Sequence, residues 1–392
     1  MSRRGLQSES NPVALALGGL IALAAAMGVG RFVYTPILPV MAEALGLSKA
    51  GTGLIASANF IGYLIGALLA GAPRLPGGRR SWMLGALAVS ALTTGAMGAV
   101  ASMPAFLLLR AVGGAASAFV LVLASALVLD RVAAVGRPGL SSVHFAGVGS
   151  GIAVSALVVS LLQAGGADWR MLWYVVGGVS LVAAAVVAWL VPAADPPRVA
   201  AIGPLSDMRP RRGLPALVCA YGLFGFGYVI TATFLVAIVR SSPALHSVEP
   251  LVWLIVGLTA APSVTLWTRT SLRLGVPKTF AIACVVEAIG VAASVLWPSI
   301  AGALLAATLL GGTFMGLTAL GLAGARRLAP ANPRPVLAVM TAAFGLGQIV
   351  GPALAGFLSE QYGGFAVPSL LAAAALLVGA VIVLRVPASS LL

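Results

Sequence analysis

Long apolar runs, separated by short clusters of charged residues, Pro and Gly, make up most of this chain. A helix that crosses the hydrocarbon core of a bilayer needs about 20 apolar residues. Runs of this length predict twelve transmembrane helices, numbered here as spans 1 to 12. They cover residues 12–42, 50–72, 81–101, 104–129, 139–163, 170–191, 214–239, 250–268, 278–297, 301–325, 335–359 and 365–386.

The composition leads to the same conclusion. Of the 392 residues, 60% are hydrophobic and 8% are charged, and the mean hydropathy is +1.08. Soluble domains carry about 25% charged residues. The run that begins at Pro12 is longer than the apolar core of a secretory signal, which has about 7–15 residues, so we interpret it as span 1. We therefore expect an all-α membrane protein with short loops.

The Lys and Arg residues are distributed unevenly between the two sides of these spans. Eighteen of the 23 fall on the side of the N-terminus, three fall on the opposite side, and two lie inside spans. Cytoplasmic loops carry the excess of Lys and Arg, so we expect both termini in the cytoplasm of a bacterium and the protein in its inner membrane. This distribution also explains the net charge of +14 without a nucleic acid partner.

The longest polar stretch, residues 192–213, holds four Arg and five Pro and predicts a cytoplasmic linker. It divides the chain into an N-terminal half, residues 1–191, and a C-terminal half, residues 214–392, with six spans each. The halves repeat at an offset of 197–198 residues, at which Gly28-Val29-Gly30, Gly113-Gly114 and Gly147-Val148-Gly149 match Gly225-Phe226-Gly227, Gly311-Gly312 and Gly345-Leu346-Gly347. Parallel six-helix repeats predict a substrate site between the halves, near the bilayer midplane.

Three motifs resemble those of the major facilitator superfamily. Arg110 with the Gly-rich turn after it is similar to that family's span-4 motif, and Ile37-Leu38-Pro39 is similar to the end of its span-1 motif. The loop at residues 71–80 keeps the basic residues of the family's signature loop but lacks its usual Asp. The Gly-Pro motif of antiporters is missing from span 5, although Gly351-Pro352 in span 11 is similar.

Two longer segments, residues 28–39 and 221–234, resemble the YbfB/YjiJ-type branch of this superfamily. The resemblance implies two pseudo-symmetric six-helix halves around a central cavity and secondary transport without a cofactor. It also implies a protein that functions as a monomer or, at most, a weak dimer.

Charged residues inside a membrane are costly and usually functional. Arg31 lies 12 residues before Glu43 at the end of span 1, which is roughly 18 Å of straight helix and places it near mid-depth. Its planar fork suits a carboxylate substrate, and the alternative is a structural cap on carbonyls of a neighbouring helix. Tyr34, three residues later, is expected to share its face.

Arg110 lies six residues after Pro104, roughly 9 Å along span 4. The resemblance places span 4 beside the cavity, which makes Arg110 a second substrate-binding candidate. The alternative is a side chain that extends to the membrane interface.

Two residues are candidates for proton coupling. Glu287 is the only acid well inside a span, and a buried carboxyl group could carry a proton. The alternative is a structural role, because span 9 is peripheral in the family fold. His144 in span 5 can titrate near neutral pH, and the alternative is a packed, hydrogen-bonded histidine.

Uncharged side chains at helical spacing complete the candidate site, although helix packing can explain each of them. They are Asn59 and Tyr63 in span 2, Tyr221, Tyr228 and Thr231 in span 7, and Phe344 and Gln348 in span 11. Cys219 and Cys284, which both lie in apolar runs, indicate neither a disulfide framework nor a metal site.

The sequence favours a proton-coupled transporter of a small organic solute, anionic or zwitterionic, that works by alternating access. An efflux pump for amphipathic compounds is the alternative within the same class. An intramembrane enzyme is disfavoured because the chain contains neither a His-Glu-x-x-His pair nor a Gly-x-Ser-x-Gly elbow. A channel is disfavoured because no selectivity-type loop or ring of charges is apparent.

Overall fold

The computed structural model describes residues 11–71, 78–137, 139–191, 213–329 and 333–387, and all regular elements among them are helical. Twelve helical segments are long and apolar enough to cross a membrane, which confirms the predicted number. The α-helices are α1 Pro12–Leu23, α2 Tyr34–Leu45, α3 Lys49–Ala70, α4 Arg79–Ala96, α5 Met103–Ala134, α6 Leu140–Ala164, α7 Trp169–Leu190, α8 Leu214–Arg240, α9 Glu249–Leu274, α10 Val276–Leu296, α11 Ile300–Leu328, α12 Pro333–Gln361 and α13 Ala366–Val383.

Span 1 consists of α1 and α2, and spans 2 to 12 correspond to α3 to α13. The predicted linker lies outside the described residues except for Gly213, which adopts a positive φ of 101° immediately before α8. Most of the basic loop at residues 71–80 also lies outside them.

Span 1 is broken, whereas its apolar run predicted one continuous helix. α1 passes into a π-helix, Ala24–Val29, and a turn at residues 30–33 precedes α2. The amide of Gly30 donates to the carbonyl oxygen of Ala25 at 2.8 Å, the five-residue step of a π-helix. Gly28 lies against the backbone of Gly151 in α6, where a Cβ atom would collide, so this residue allows the distorted segment to pack closely. Arg31 therefore lies in an irregular segment that is buried in protein.

Small residues let the helices of each half approach each other closely. In the N-terminal half, a Cβ atom on Gly62 would overlap the backbone carbonyl of Ala111, and one on Gly66 would overlap that of Ala115. α3 and α5 consequently pack along their length. Close packing of small residues is the usual way in which membrane helices associate.

The two halves meet along two equivalent helix pairs. α3 packs against α12, with Gly53 against the carbonyl of Pro352, and α6 packs against α9, with Gly149 against Gly257. If the halves are exchanged, span 2 takes the place of span 8 and span 11 takes the place of span 5. The two pairs therefore have the relationship that a pseudo-twofold axis requires.

Polar contacts join the halves on the membrane side where α2 and α8 end, which we call the Glu43 side. The Thr35 hydroxyl donates to the carbonyl of Ala232 at 2.7 Å, and Arg240 forms an ion pair with Glu43 at 3.1 Å. Both pairs are separated by 197 residues, the offset of the sequence repeat. Equivalent positions of α2 and α8 therefore meet each other and close this side.

Candidate functional site

Arg31 lies in the turn before α2 and is only 3% exposed. Its guanidinium carbon lies 4.1 Å from the ring centroid of Tyr63, 4.6 Å from that of Phe60 and 5.3 Å from that of Phe32. Three aromatic side chains thus surround the cation, an arrangement that is favourable for a desolvated guanidinium.

The nitrogen atoms Nε and Nη2 of Arg31 are buried and form no hydrogen bond. These two atoms share one edge of the guanidinium group, the edge that can bind both oxygens of a carboxylate. Among the described residues, no carboxylate forms an ion pair with Arg31. A buried polar group is normally hydrogen-bonded, so this edge is suited to a ligand.

Arg110 makes different contacts. Its Nη1 and Nη2 atoms donate to the carbonyl oxygens of Gly30 at 3.1 Å and of Arg31 at 3.0 Å. The side chain is 5% exposed and is directed at the backbone of the broken segment. It caps carbonyls that the break in span 1 leaves without helical partners, as Arg is well suited to do.

Tyr34 lies beside Arg110 rather than Arg31, because the face that it was expected to share requires an unbroken helix. Its ring centroid is 5.0 Å from the guanidinium carbon of Arg110, and its hydroxyl donates to the carbonyl of Thr52 at 2.8 Å. In α3, the Asn59 amide donates to the carbonyl of Arg110 at 3.0 Å. These residues connect α2, α3 and α5 around the broken segment.

The candidates of the C-terminal half form one aromatic and polar group on α8 and α12. The amide nitrogen of Gln348 donates to the hydroxyl of Tyr228. Tyr221 stacks on Phe344 with their centroids 4.9 Å apart, and its hydroxyl donates to a backbone carbonyl. The oxygen atoms Gln348 Oε1 and Thr231 Oγ1 are buried without a partner.

Aromatic contacts connect this group to Arg31. Phe32 makes an edge contact with Phe314 at 5.9 Å, Phe314 stacks on Tyr228 at 5.7 Å, and Tyr228 stacks on Phe344 at 5.7 Å. Tyr228 also lies within electrostatic range of Arg31. The structure therefore brings Arg31, Tyr63, Tyr228, Phe344 and Gln348 into one region between the halves.

Glu287 lies in the C-terminal half on α10 and is completely buried. Its carboxyl group faces Thr313 of α11, whose hydroxyl donates to the carbonyl of Leu309 at 2.6 Å, and both of its oxygens have no hydrogen-bond partner. It lies within electrostatic range of Tyr228. This acid therefore faces the interior of its half, against α11.

His144 is also completely buried, but it lies in the N-terminal half between α1, α5 and α6. Its Nε2 atom is 3.0 Å from the hydroxyl of Ser125, and its ring packs on Phe145 and against Gly19. The structure thus places the two proton-coupling candidates in different halves, His144 on α6 and Glu287 on α10.

A protein-family model described as "Uncharacterised MFS-type transporter YbfB" matches residues 23–384, which include every candidate residue. The chain belongs to this family. The resemblance to the YbfB-type branch of the major facilitator superfamily is thereby confirmed, and the protein is a multi-pass membrane transporter. A comparison with curated protein sequences finds no match.

Solved structures of major facilitator transporters have a similar fold. A point mutant of the nucleoside transporter NupG superposes with a TM-score of 0.72 at 17% identity, over 95% of this chain and 99% of that chain. A bacterial homologue of the human lysosomal transporter Spinster, in an inward-facing and occupied conformation, gives 0.69 at 16% identity, over 97% of each chain. Identities this low show the fold alone. Family and neighbours are transporters, not enzymes.

Sequence reasoning missed three aromatic residues of this region: Phe32 and Phe60, which contact Arg31, and Phe314, which contacts Phe32. Phe32 is adjacent to Arg31, and Phe60 precedes Tyr63 by three residues, a spacing that places both on one helix face. Phe314 follows the Gly311-Gly312 pair of the repeat, which was its only signal. Among the described residues, no group of three His, Cys, Asp or Glu could hold a metal ion.

Proposed function

We propose that this protein is a secondary active transporter that moves a small anionic or zwitterionic organic solute across the membrane by alternating access. The observation that supports this proposal is the guanidinium group of Arg31, which lies where the two halves meet. No carboxylate among the described residues pairs with it, and its Nε and Nη2 atoms have no hydrogen-bond partner. A buried Arg without a carboxylate is costly, and an anionic substrate would offset that cost each time it binds.

Alternating access is supported by the polar contacts on the Glu43 side. Besides Thr35 and Glu43, the amide of Ala50 donates to Glu360 at 3.1 Å and the hydroxyl of Ser57 donates to the carbonyl of Ile349 at 2.7 Å, all of them across the halves. We assign the Glu43 side to the outside, because the opposite side carries most of the Lys and Arg. This assignment puts both termini in the cytoplasm of a bacterium and makes the present state closed to the outside.

Proton coupling through Glu287 is part of the proposal. A carboxyl group can carry a proton, and the electrostatic interaction with Tyr228 provides a connection between that proton and the substrate region. His144 is the second candidate. We propose that the transporter works as a monomer or a weak dimer.

An efflux pump for amphipathic compounds is the alternative, and the aromatic residues Phe314, Tyr228, Phe344 and Tyr221 favour it because they offer apolar surface. The two functions differ in their dependence on Arg31, since an apolar cation gains nothing from a guanidinium group.

The test is a thermal-shift screen of the purified protein against organic acids, amino acids and cationic drugs, with the variants Arg31→Ala and Arg137→Ala. Arg137 is exposed, so its removal controls for the loss of one positive charge. We expect an anion to stabilise the wild type and Arg137→Ala but not Arg31→Ala, with all three proteins monodisperse. Stabilisation by cationic drugs alone, unchanged in Arg31→Ala, would replace the proposal with the efflux pump.

A further inference from the structure

We propose that the solute is a planar aromatic carboxylate whose acid group binds the Nε–Nη2 edge of Arg31 and whose ring lies among the aromatic side chains between the halves. This inference rests on the proposed function and specifies its substrate class. It requires aromatic surface beside the cation, space that can open there, and polar partners at the far end of the ligand.

Aromatic surface continues from Arg31 into the C-terminal half without interruption. Phe314, Tyr228 and Phe344 form a stack in which successive rings are 5.7 Å apart and tilted by only 5° and 6°. Phe32 connects this stack to the cation. A flat ring can insert into such a stack and replace each ring–ring contact that it interrupts, whereas a saturated ring cannot stack in this way.

Four aromatic side chains around Arg31 keep a small exposed fraction. Tyr63 is 9% exposed, Phe344 is 7%, Phe32 is 6% and Phe60 is 5%, although all of them lie well inside predicted spans. Phe224, which packs on the opposite side of the same group, is 0% exposed. The packing around Arg31 is thus less complete than around Phe224, and movement of the two halves can open space there.

Two polar acceptors lie close to Tyr228 in the C-terminal half, Gln348 bonded to it and Thr231 one helical turn after it on α8. Gln348 Oε1 and Thr231 Oγ1 are buried and have no partner. A hydroxyl or amino substituent on the ring could donate to one of them, and leaving such an acceptor unsatisfied is unfavourable. A ring with an acid at one end and a donor at the other therefore fits the region better than benzoate itself.

The test is isothermal titration of the full-length protein with 4-hydroxybenzoate, benzoate, cyclohexanecarboxylate and benzamide. Cyclohexanecarboxylate keeps the charge but lacks the flat ring, and benzamide keeps the ring but lacks the charge. We expect 4-hydroxybenzoate to bind most tightly, cyclohexanecarboxylate about tenfold or more weakly, and benzamide not at all. Phe314→Leu should reduce the preference for the aromatic acid while dependence on Arg31 remains.

A second variant, Gln348→Met, keeps about the same side-chain volume and removes Oε1 together with the Nε2 donor to Tyr228, so it should abolish the preference for 4-hydroxybenzoate over benzoate. Equal binding of cyclohexanecarboxylate and benzoate, lost in Arg31→Ala, would overturn the aromatic inference and leave the proposed function intact. If none of the three acids bound but other anions bound in a way that depends on Arg31, the aromatic inference would also be wrong and the proposed function would stand. If no anion bound, both the aromatic inference and the proposed function would be overturned.

Discussion

The guanidinium group of Arg110 holds the backbone of Arg31. It donates to the carbonyl oxygen of Arg31 at 3.0 Å and to the carbonyl oxygen of Gly30 at 3.1 Å. The two arginines inside the spans therefore have different surroundings. Arg110 directs both of its Nη atoms at a broken helix and leaves only Nε without a partner, whereas Arg31, held by that contact, keeps the whole Nε–Nη2 edge open.

Arg110→Lys should weaken ligand binding without removing any charge. An ammonium group cannot bridge two carbonyls as a fork does, and hydrogen bonds from charged groups contribute about 1.5–3 kcal/mol each. We expect a lower melting temperature and an affinity for the ligand at least about tenfold weaker, measured by thermal denaturation and titration.

The matched control for this variant is Arg170→Lys. Arg170 also donates to a backbone carbonyl, that of Gly98 at 2.7 Å, but it lies on the Glu43 side away from Arg31. If both variants lost the same amount of stability and neither lost affinity, Arg110 would have no role in positioning Arg31.

Hydropathy predicted the number and the approximate limits of the spans because length and apolarity are the physical requirements for crossing a bilayer. It could not predict the break in span 1. The apolar character continues through Ala24–Val29, so no polar residue marks the place where the hydrogen-bonding pattern changes. The contact of Gly28 with Gly151 that accommodates the break is between residues far apart in the sequence.

The candidate site was predicted in part for the same reason. Rarity of charge inside the membrane identified Arg31 and Arg110, yet their different surroundings follow from which helices face each of them. Helical spacing paired Asn59 with Tyr63, whereas the structure directs Asn59 to the backbone of Arg110 and Tyr63 to the side chain of Arg31. Spacing along one helix does not determine what lies opposite.

Gly62→Ala should destabilise the N-terminal half. The added methyl group would overlap the carbonyl of Ala111, and two packed backbones cannot move apart at one point without losing neighbouring contacts. We expect a loss of about 1–3 kcal/mol, typical of overpacking. Gly178→Ala is the control, because nothing lies within 4 Å of its added atom, and its stability should stay the same or rise. Equal melting temperatures for both variants would contradict this account of α3–α5 packing.

Glu43→Gln should increase the population of the state in which the Glu43 side is open. Arg240 keeps its second partner, Glu249, at 3.1 Å, so the loop retains its anchor while the bond across the halves is lost. An exposed ion pair contributes about 0.2–1 kcal/mol, which corresponds to an increase of up to about fivefold in the open population. The measurement is the labelling rate of Ala237→Cys, in a Cys219→Ser background, by an impermeant maleimide.

Asp130→Asn is the control for the Glu43–Arg240 ion pair, because it breaks another partly exposed pair, with Arg79, that lies within the N-terminal half. Its labelling rate at position 237 should equal that of the parent. An unchanged rate in Glu43→Gln would mean that the ion pair does not contribute to closure.

Glu287→Gln should separate solute movement from proton movement. Gln has the same shape but carries no proton, so accumulation driven by a pH gradient in proteoliposomes should disappear while solute exchange continues. His144→Gln is the companion variant, since His144 and its partner Ser125 both lie in the N-terminal half, whereas Glu287 lies in the C-terminal half. We expect it to retain gradient-driven accumulation. The opposite pattern, with coupling lost only in His144→Gln, would assign the proton to the N-terminal half. Loss of exchange as well as accumulation in Glu287→Gln would make the carboxyl group a structural element of the α10–α11 contact.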